Sequence, residues 1–263
     1  MQILNCRFDE VDETQTIQWA SKWFQSGKRG YITTVNVAIT MMMRSDSLLR
    51  KFINNSALTV ADGQPIIWLS RFLGNRLPGR IAGVDLVHSL SRCAADNHQS
   101  VYLMGAKKEI VDQVATQLKA DIPHLKLAGV DDGYFGTDDF STRASKIAAS
   151  GAGLLIVAMG VPRQEQFLHQ TWNQLGVKLA IGVGGSFDVI AGHTRRAPQW
   201  MQKTGLEWFY RMMQEPKRLF KRYLVTNTQF VWFAGHAVVR HWMKTMFSKA
   251  SHSIATKQAT KLD

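Results

Sequence analysis

The sequence predicts an α/β fold: a mostly parallel sheet with helices on both faces, followed by a helical, basic C-terminal appendage. Short apolar runs alternate with amphipathic stretches over the first 190 residues. Several of those runs lack polar alternation, which marks strands buried on both faces. After Gly192 the strand pattern stops, and aromatic residues interleave with Lys and Arg.

The strands expected are Tyr31–Val35, Leu58–Ala61, Val101–Met104, Leu125–Val130, Leu154–Met159 and Leu179–Val183, each short and rich in Val, Ile, Leu or Ala. Between them the helices expected are Val37–Phe52, Pro65–Phe72, Val84–Asp96, Lys107–Ala120, Asp138–Ala149 and Pro162–Leu175. In Lys107–Ala120, the residues Ile110, Val111, Val114, Ala115 and Leu118 form one apolar stripe at helical spacing. Strand and helix in turn place ligands at the carboxyl ends of the strands. The division expected is a catalytic core over residues 1–197, an appendage over 198–249 and a disordered tail over 250–263.

The chain has 263 residues and a net charge of +12. Between His193 and Lys249 eleven Lys or Arg face only Glu207 and Glu215, so nine of the net twelve charges sit in that stretch. Such an excess suits an anionic partner or a solvated basic face. Its aromatics, from Trp200 to Trp242, suit a membrane interface. Cys6 and Cys93 are too few and too far apart for a disulfide framework or a zinc site. No secretory leader is expected, and no apolar run reaches the ~18–20 residues a span needs. A cytoplasmic protein, peripheral on the inner face of the membrane, follows as the expectation.

Four polar clusters follow strand ends. Thr33-Thr34-Val35-Asn36 closes the first strand. Ala61-Asp62-Gly63 closes the second, as an acid at a strand terminus or as a plain turn before Pro65. Met159 to Glu165 ends a strand and presents Arg163, Gln164 and Glu165 in the first turn of a helix, which an ordinary capped helix also does. Gly182-Val183-Gly184-Gly185-Ser186-Phe187-Asp188 opens a helix with glycines, as phosphate-binding loops do; tight backbone packing asks for the same residues. It is not the dinucleotide fingerprint, since Phe187 stands where the third Gly belongs. No P-loop, nucleophile elbow, H-E-x-x-H, C-x-x-C or Asp-x-Asp in the sheet region occurs. The site expected is therefore free of metal and cofactor, with its cations supplied by Arg and Lys.

Together the clusters resemble the WecG/TagA/CpsF family of glycosyltransferases. The resemblance rests on T-V-N at Thr34–Asn36, V-A-D-G at Val60–Gly63 and R-I-A-G-V-D-L at Arg80–Leu86. It continues through D-D-G-Y-F at Asp131–Phe135, A-M-G-V-P-R-Q-E at Ala158–Glu165 and G-V-G-G-S-F-D-V-I-A-G at Gly182–Gly192. It ends with R-A-P at Arg196–Pro198 and G-L-E-W-F-Y-R-M-M-Q-E-P-K-R at Gly205–Arg218.

The resemblance implies a Rossmann-like core, an inverting hexosyl transfer from a UDP-sugar, and an undecaprenyl-diphosphate-linked acceptor in surface or exopolysaccharide synthesis. It implies Asp62 as catalytic base, with Thr34 and Gln164 beside it. It implies substrate contacts from Asn36, Arg80, Asp85, Gly184, Gly185, Asp188 and Arg196. Arg211, Arg218 and Arg222 would reach the diphosphate. The expected partners are the UDP-sugar, the lipid-linked acceptor and an anionic membrane surface, with no nucleic acid and with self-association left open. Many members with N-acetylmannosamine-type donors carry an acid after T-x-N, where this chain has Val37-Ala38. That departure argues against an N-acetylmannosamine-type donor and makes the chain resemble the exopolysaccharide branch, some members of which add glucose. Glucose, N-acetylmannosamine and N-acetylmannosaminuronic acid are the donor sugars carried forward. The rival readings are a nucleotide-dependent oxidoreductase, which the missing glycine fingerprint disfavours, and a nucleic-acid-binding module using the basic C-terminus.

Overall fold

The computed structural model describes the backbone of residues 1–259, and the side chains of residues 1–246 except 218. The chain opens with a small antiparallel hairpin, β1 (Gln2–Ile3) and β2 (Cys6–Arg7). Helix α1 (Glu13–Gln25) follows, fixed by a capping box in which Asp12 and Gln15 satisfy each other's backbone N–H. Then come β3 (Gly30–Val35), α2 (Val37–Ser45), α3 (Ser47–Asn54), β4 (Leu58–Ala61), α4 (Gln64–Phe72) and α5 (Gly83–Asp96). The remaining core elements are β5 (Val101–Gly105), α6 (Lys108–Asp121), β6 (Leu127–Asp131), α7 (Phe140–Ala149), β7 (Leu154–Ala158), α8 (Arg163–Thr171), β8 (Leu179–Gly182) and α9 (Ser186–Ile190). The appendage is α10 (Gln199–Lys203), α11 (Glu207–Gln214) and α12 (Pro216–Ala259).

The main sheet has six strands in the order β4-β3-β8-β7-β5-β6, and every pairing within it is parallel. Side chains alternate between its faces, so each buried strand feeds two cores. Leu154 and Ile156 of β7 join Leu103, Leu179 and Ile181 beneath α1, α5, α6 and α9. Leu155 and Val157 join Tyr102, Met104 and Ala180 beneath α2, α3, α4, α7, α8 and part of α12. Because both faces are covered, the strands read as continuous apolar runs rather than as alternating ones.

All six expected strands exist, within a few residues of their expected bounds. The expected single helix Val37–Phe52 is two helices. Asp46 stops α2 in an extended conformation and caps α3, accepting the Leu49 N–H at 2.9 Å. The hairpin and α1 were not anticipated. The expected disordered tail overlaps the last turns of α12 and otherwise lies outside the described residues.

Leu219, Thr226 and Phe230 are buried on one side of helix α12, while Phe233 and Val238 pack against the core. The appendage is therefore tied to the sheet domain along much of this helix. Lys221, Leu224, Val231, Trp232 and Trp242 are exposed.

Candidate active site

The carboxyl ends of all six parallel strands open into one cavity of about 860 Å³. Thr34 and Asn36 come from the end of β3, Asp62 from β4, Ala106 from β5, Gly133 and Tyr134 from β6, Met159 from β7, and Val183 and Gly184 from β8. Helices α2, α4, α5, α8 and α9 all begin here, so five N-termini of the core bring positive dipole ends toward it. The appendage closes the opposite wall with Glu207, Trp208, Arg211, Arg222, Tyr223 and Asn227.

Asp62 is held in place from two sides. Its Oδ1 accepts from Arg80 Nε at 3.3 Å, and its Oδ2 accepts the Gly83 N–H at the start of α5 at 3.2 Å. Its own N–H donates to the Val35 carbonyl at 2.9 Å, which ties the end of β4 to β3. The second arm of Arg80 reaches Glu207 Oε2 at 2.5 Å. One guanidinium thus joins the strand-end acid of the core to the first turn of α11. Glu207 was not singled out in the sequence, because its partner is distant along the chain.

The glycine-rich loop is braced from behind. Gln164 is 2% exposed; its Oε1 accepts the Gly184 N–H at 3.0 Å and its Nε2 donates to Glu165 at 2.8 Å. Gly184 has φ +59, a conformation that favours glycine. A Cβ on Gly182 would stand 2.5 Å from the Gln164 amide nitrogen, so close packing also requires glycine there. Arg211 Nη2 donates to the Gly185 carbonyl at 3.4 Å, bringing the appendage onto the same loop. Gly182 thus packs against Gln164, while Gly184 and Gly185 line the cavity.

Thr34 Oγ1 donates to the Gly182 carbonyl at 3.1 Å, and Asn36 caps α2 through the Ile39 N–H at 3.1 Å. Both line the cavity, as do Asp188, Arg211 and Arg222. Asp85 and Arg196 do not. They pair with each other through two 2.6 Å bonds and fasten the Arg195–Pro198 stretch to the start of α5 outside the cavity wall. Each is thus the other's partner, and the Arg196 guanidinium stays within electrostatic reach of Asp62 and Glu207. Arg218 lies in α12, and its side chain is outside the described residues.

Two groups beside the cavity carry electrostatic tension. Glu165 is 7% exposed, and its Oε2 has no hydrogen-bond partner among the described residues. Burial pushes its carboxyl up to about 7, against the opposing pull of Gln164 and the Arg222 charge. Arg163 lines the cavity, donates to the Phe135 carbonyl and lies over the Phe135 ring at 5.2 Å. Its Nε is buried with no hydrogen-bond partner among the described residues. Among the described residues no three His, Cys, Asp or Glu side chains group to hold a metal ion, and no helix is long and apolar enough to cross a membrane.

The family model for glycosyl transferases of the WecG/TagA/CpsF family matches residues 1–245. The chain is 36% identical over 223 residues to the N-acetylglucosaminyldiphosphoundecaprenol N-acetyl-beta-D-mannosaminyltransferase of Bacillus subtilis, covering 84% of this chain and 86% of that one. It is 33% identical over 196 residues to the Bacillus spizizenii protein of the same name, covering 74% and 76%. The chain belongs to the WecG/TagA/CpsF family and is a glycosyltransferase.

Proposed function

We propose that this member of the WecG/TagA/CpsF family transfers a neutral hexose from a UDP-sugar, with inversion, to a sugar carried on undecaprenyl diphosphate at the membrane. The observation that carries the reading is the meeting in one cavity of a strand-end carboxylate, Asp62, with a glycine loop, five helix N-termini of the core and the guanidinium groups of Arg211 and Arg222. The names of the two Bacillus relatives support the lipid-linked acceptor.

In this reading Asp62 takes the proton of the acceptor hydroxyl as its oxygen attacks the anomeric carbon. The bond between that carbon and the UDP oxygen breaks, and negative charge grows on the diphosphate. Arg211 and Arg222 offset that charge without having to reorganise. Arg80 and Gly83 hold Asp62 at the angle it needs. Thr34, wedged against Gly182, and Gln164, behind Gly184, keep the two halves of the site in register.

Val37 and Ala38 make the wall beside Asn36 apolar, which suits glucose or N-acetylmannosamine better than an acidic sugar. The basic, aromatic outward side of α12 supports docking on anionic lipid from the cytoplasmic side. Transfer is tested with UDP-glucose and UDP-N-acetylmannosamine on an undecaprenyl-diphosphate-sugar acceptor, in the presence of excess EDTA. Product with one neutral donor supports the reading. Absence of product with every UDP-hexose, or activity only on adding Mg²⁺ or Mn²⁺, overturns the donor or the metal-free part respectively.

A further inference from the structure

A second cavity, of about 720 Å³, shares no lining residue with the first. It lies where α12 passes the opening hairpin and the ends of α2 and α4. Arg44 stands on its wall, facing Arg240, Lys244, His236 and His241 of α12. Among the described residues that line it there is no Asp or Glu. Arg44, Arg240 and Lys244 are exposed, and together they give this wall a positive potential that attracts an anion. The arrangement is also held in place: the Arg44 guanidinium lies 3.5 Å over the Phe233 ring, and the Trp232 ring lies 4.4 Å from that of His236.

The surroundings decide which anion. Phe72, Trp232, Val239 and Met243 are large apolar side chains left exposed at or next to the lining positions, and each is at least half exposed. A soluble anion has no use for such a rim, whereas a lipid presents its phosphate and its apolar chains together. We propose that this cavity binds the phosphate headgroup of an anionic glycerophospholipid, with Trp232, Val239 and Met243 against the adjoining acyl chains. Bound there, the lipid sets the height and tilt of the sheet domain on the membrane. The active-site cavity is then presented to an acceptor whose diphosphate lies at the same headgroup level.

The inference rests on the proposed lipid-linked acceptor, yet its test does not depend on catalysis. Full-length protein is floated with phosphatidylglycerol vesicles and with neutral phosphatidylcholine vesicles. Two double variants, R44A/R240A and R240A/K244A, are compared with K119A/K126A, which removes the same charge from exposed positions on the α6 side. The second pair keeps the Arg44–Phe233 contact, so loss of helix packing cannot account for its result. Each cavity pair is expected to lower partition onto anionic vesicles by about tenfold or more, and the distant pair by less than about threefold. An equal fall for all three pairs would show only diffuse charge and would overturn the proposal. So would inorganic phosphate, at constant ionic strength, abolishing vesicle binding as fully as the substitutions, since the cavity would then be a free-phosphate site. Failure of the unaltered chain to transfer sugar to a water-soluble acceptor analogue would count against the proposed function, and vesicle binding would still decide this inference.

Discussion

Replacing Asp62 with Asn takes one proton acceptor out of the cavity and leaves most of its framework standing. The side chain keeps its size, and Arg80 keeps its 2.5 Å contact with Glu207. In the native chain Asp62 accepts from two donors, Arg80 Nε and the Gly83 N–H. Asparagine has one acceptor oxygen and an amide that only donates, so one of those two donors is left facing another donor. Leaving a buried donor unpaired costs about 1–3 kcal/mol, and Asp62 is partly exposed, so the lower end applies. The chemical loss is larger. A positioned general base contributes roughly 10²–10⁴-fold, or about 3–5 kcal/mol of barrier at 1.36 kcal/mol per tenfold. Steady-state transfer at saturating donor should therefore show kcat reduced by ~10²–10⁴-fold. UDP affinity by calorimetry should stay within about threefold, because the diphosphate contacts proposed for Arg211, Arg222 and the glycine loop are untouched. A kcat within tenfold of the unaltered enzyme would remove Asp62 as the base. A parallel collapse of UDP binding would make it a structural residue instead.

Glu165→Gln tests the buried carboxyl. Its folded pKa is raised from 4.5 to about 7, so the folded state holds that proton more tightly. The stability it adds is full at acid pH and is lost as pH rises from about 4.5 to about 7, by up to roughly 3 kcal/mol. In denaturant titrations the Gln variant should lack that slope; an unchanged slope refutes the assignment. Gln164→Leu frees the Gly184 N–H from its 3.0 Å partner and should weaken UDP binding by about tenfold, one lost bracing bond, while the chain still folds. Wild-type UDP affinity in that variant would show that the loop holds its shape unaided. Cutting the chain after Arg222 should lower stability as well as membrane binding, because Thr226 and Phe230 are buried and Tyr223 and Asn227 line the cavity. A truncated protein with unchanged melting temperature and full transfer to a soluble acceptor would refute that.

The sequence alone determined the sheet, since strands covered on both faces must be nearly all apolar, as Leu154–Ala158 and Val101–Gly105 are. It also determined that Thr34, Asp62, Gln164 and the glycine loop line one cavity, because in a parallel sheet all the strand ends lie on one edge. The break at Asp46 was less visible, because a cap differs from a helix interior by one side-chain bond. Only the tertiary structure decided what depends on pairs far apart in the chain. Glu207 joins the cavity wall by meeting Arg80, and Arg196 is paired with Asp85, although all four look alike as charged residues near motifs. Likewise Arg44 and Arg240 line one cavity only because α12 lies back across the core along its buried side, with Phe230 inside and Trp232 out. Composition fixes how much charge the appendage carries; packing fixes which face of each helix is left for an anion, and that choice needs three dimensions.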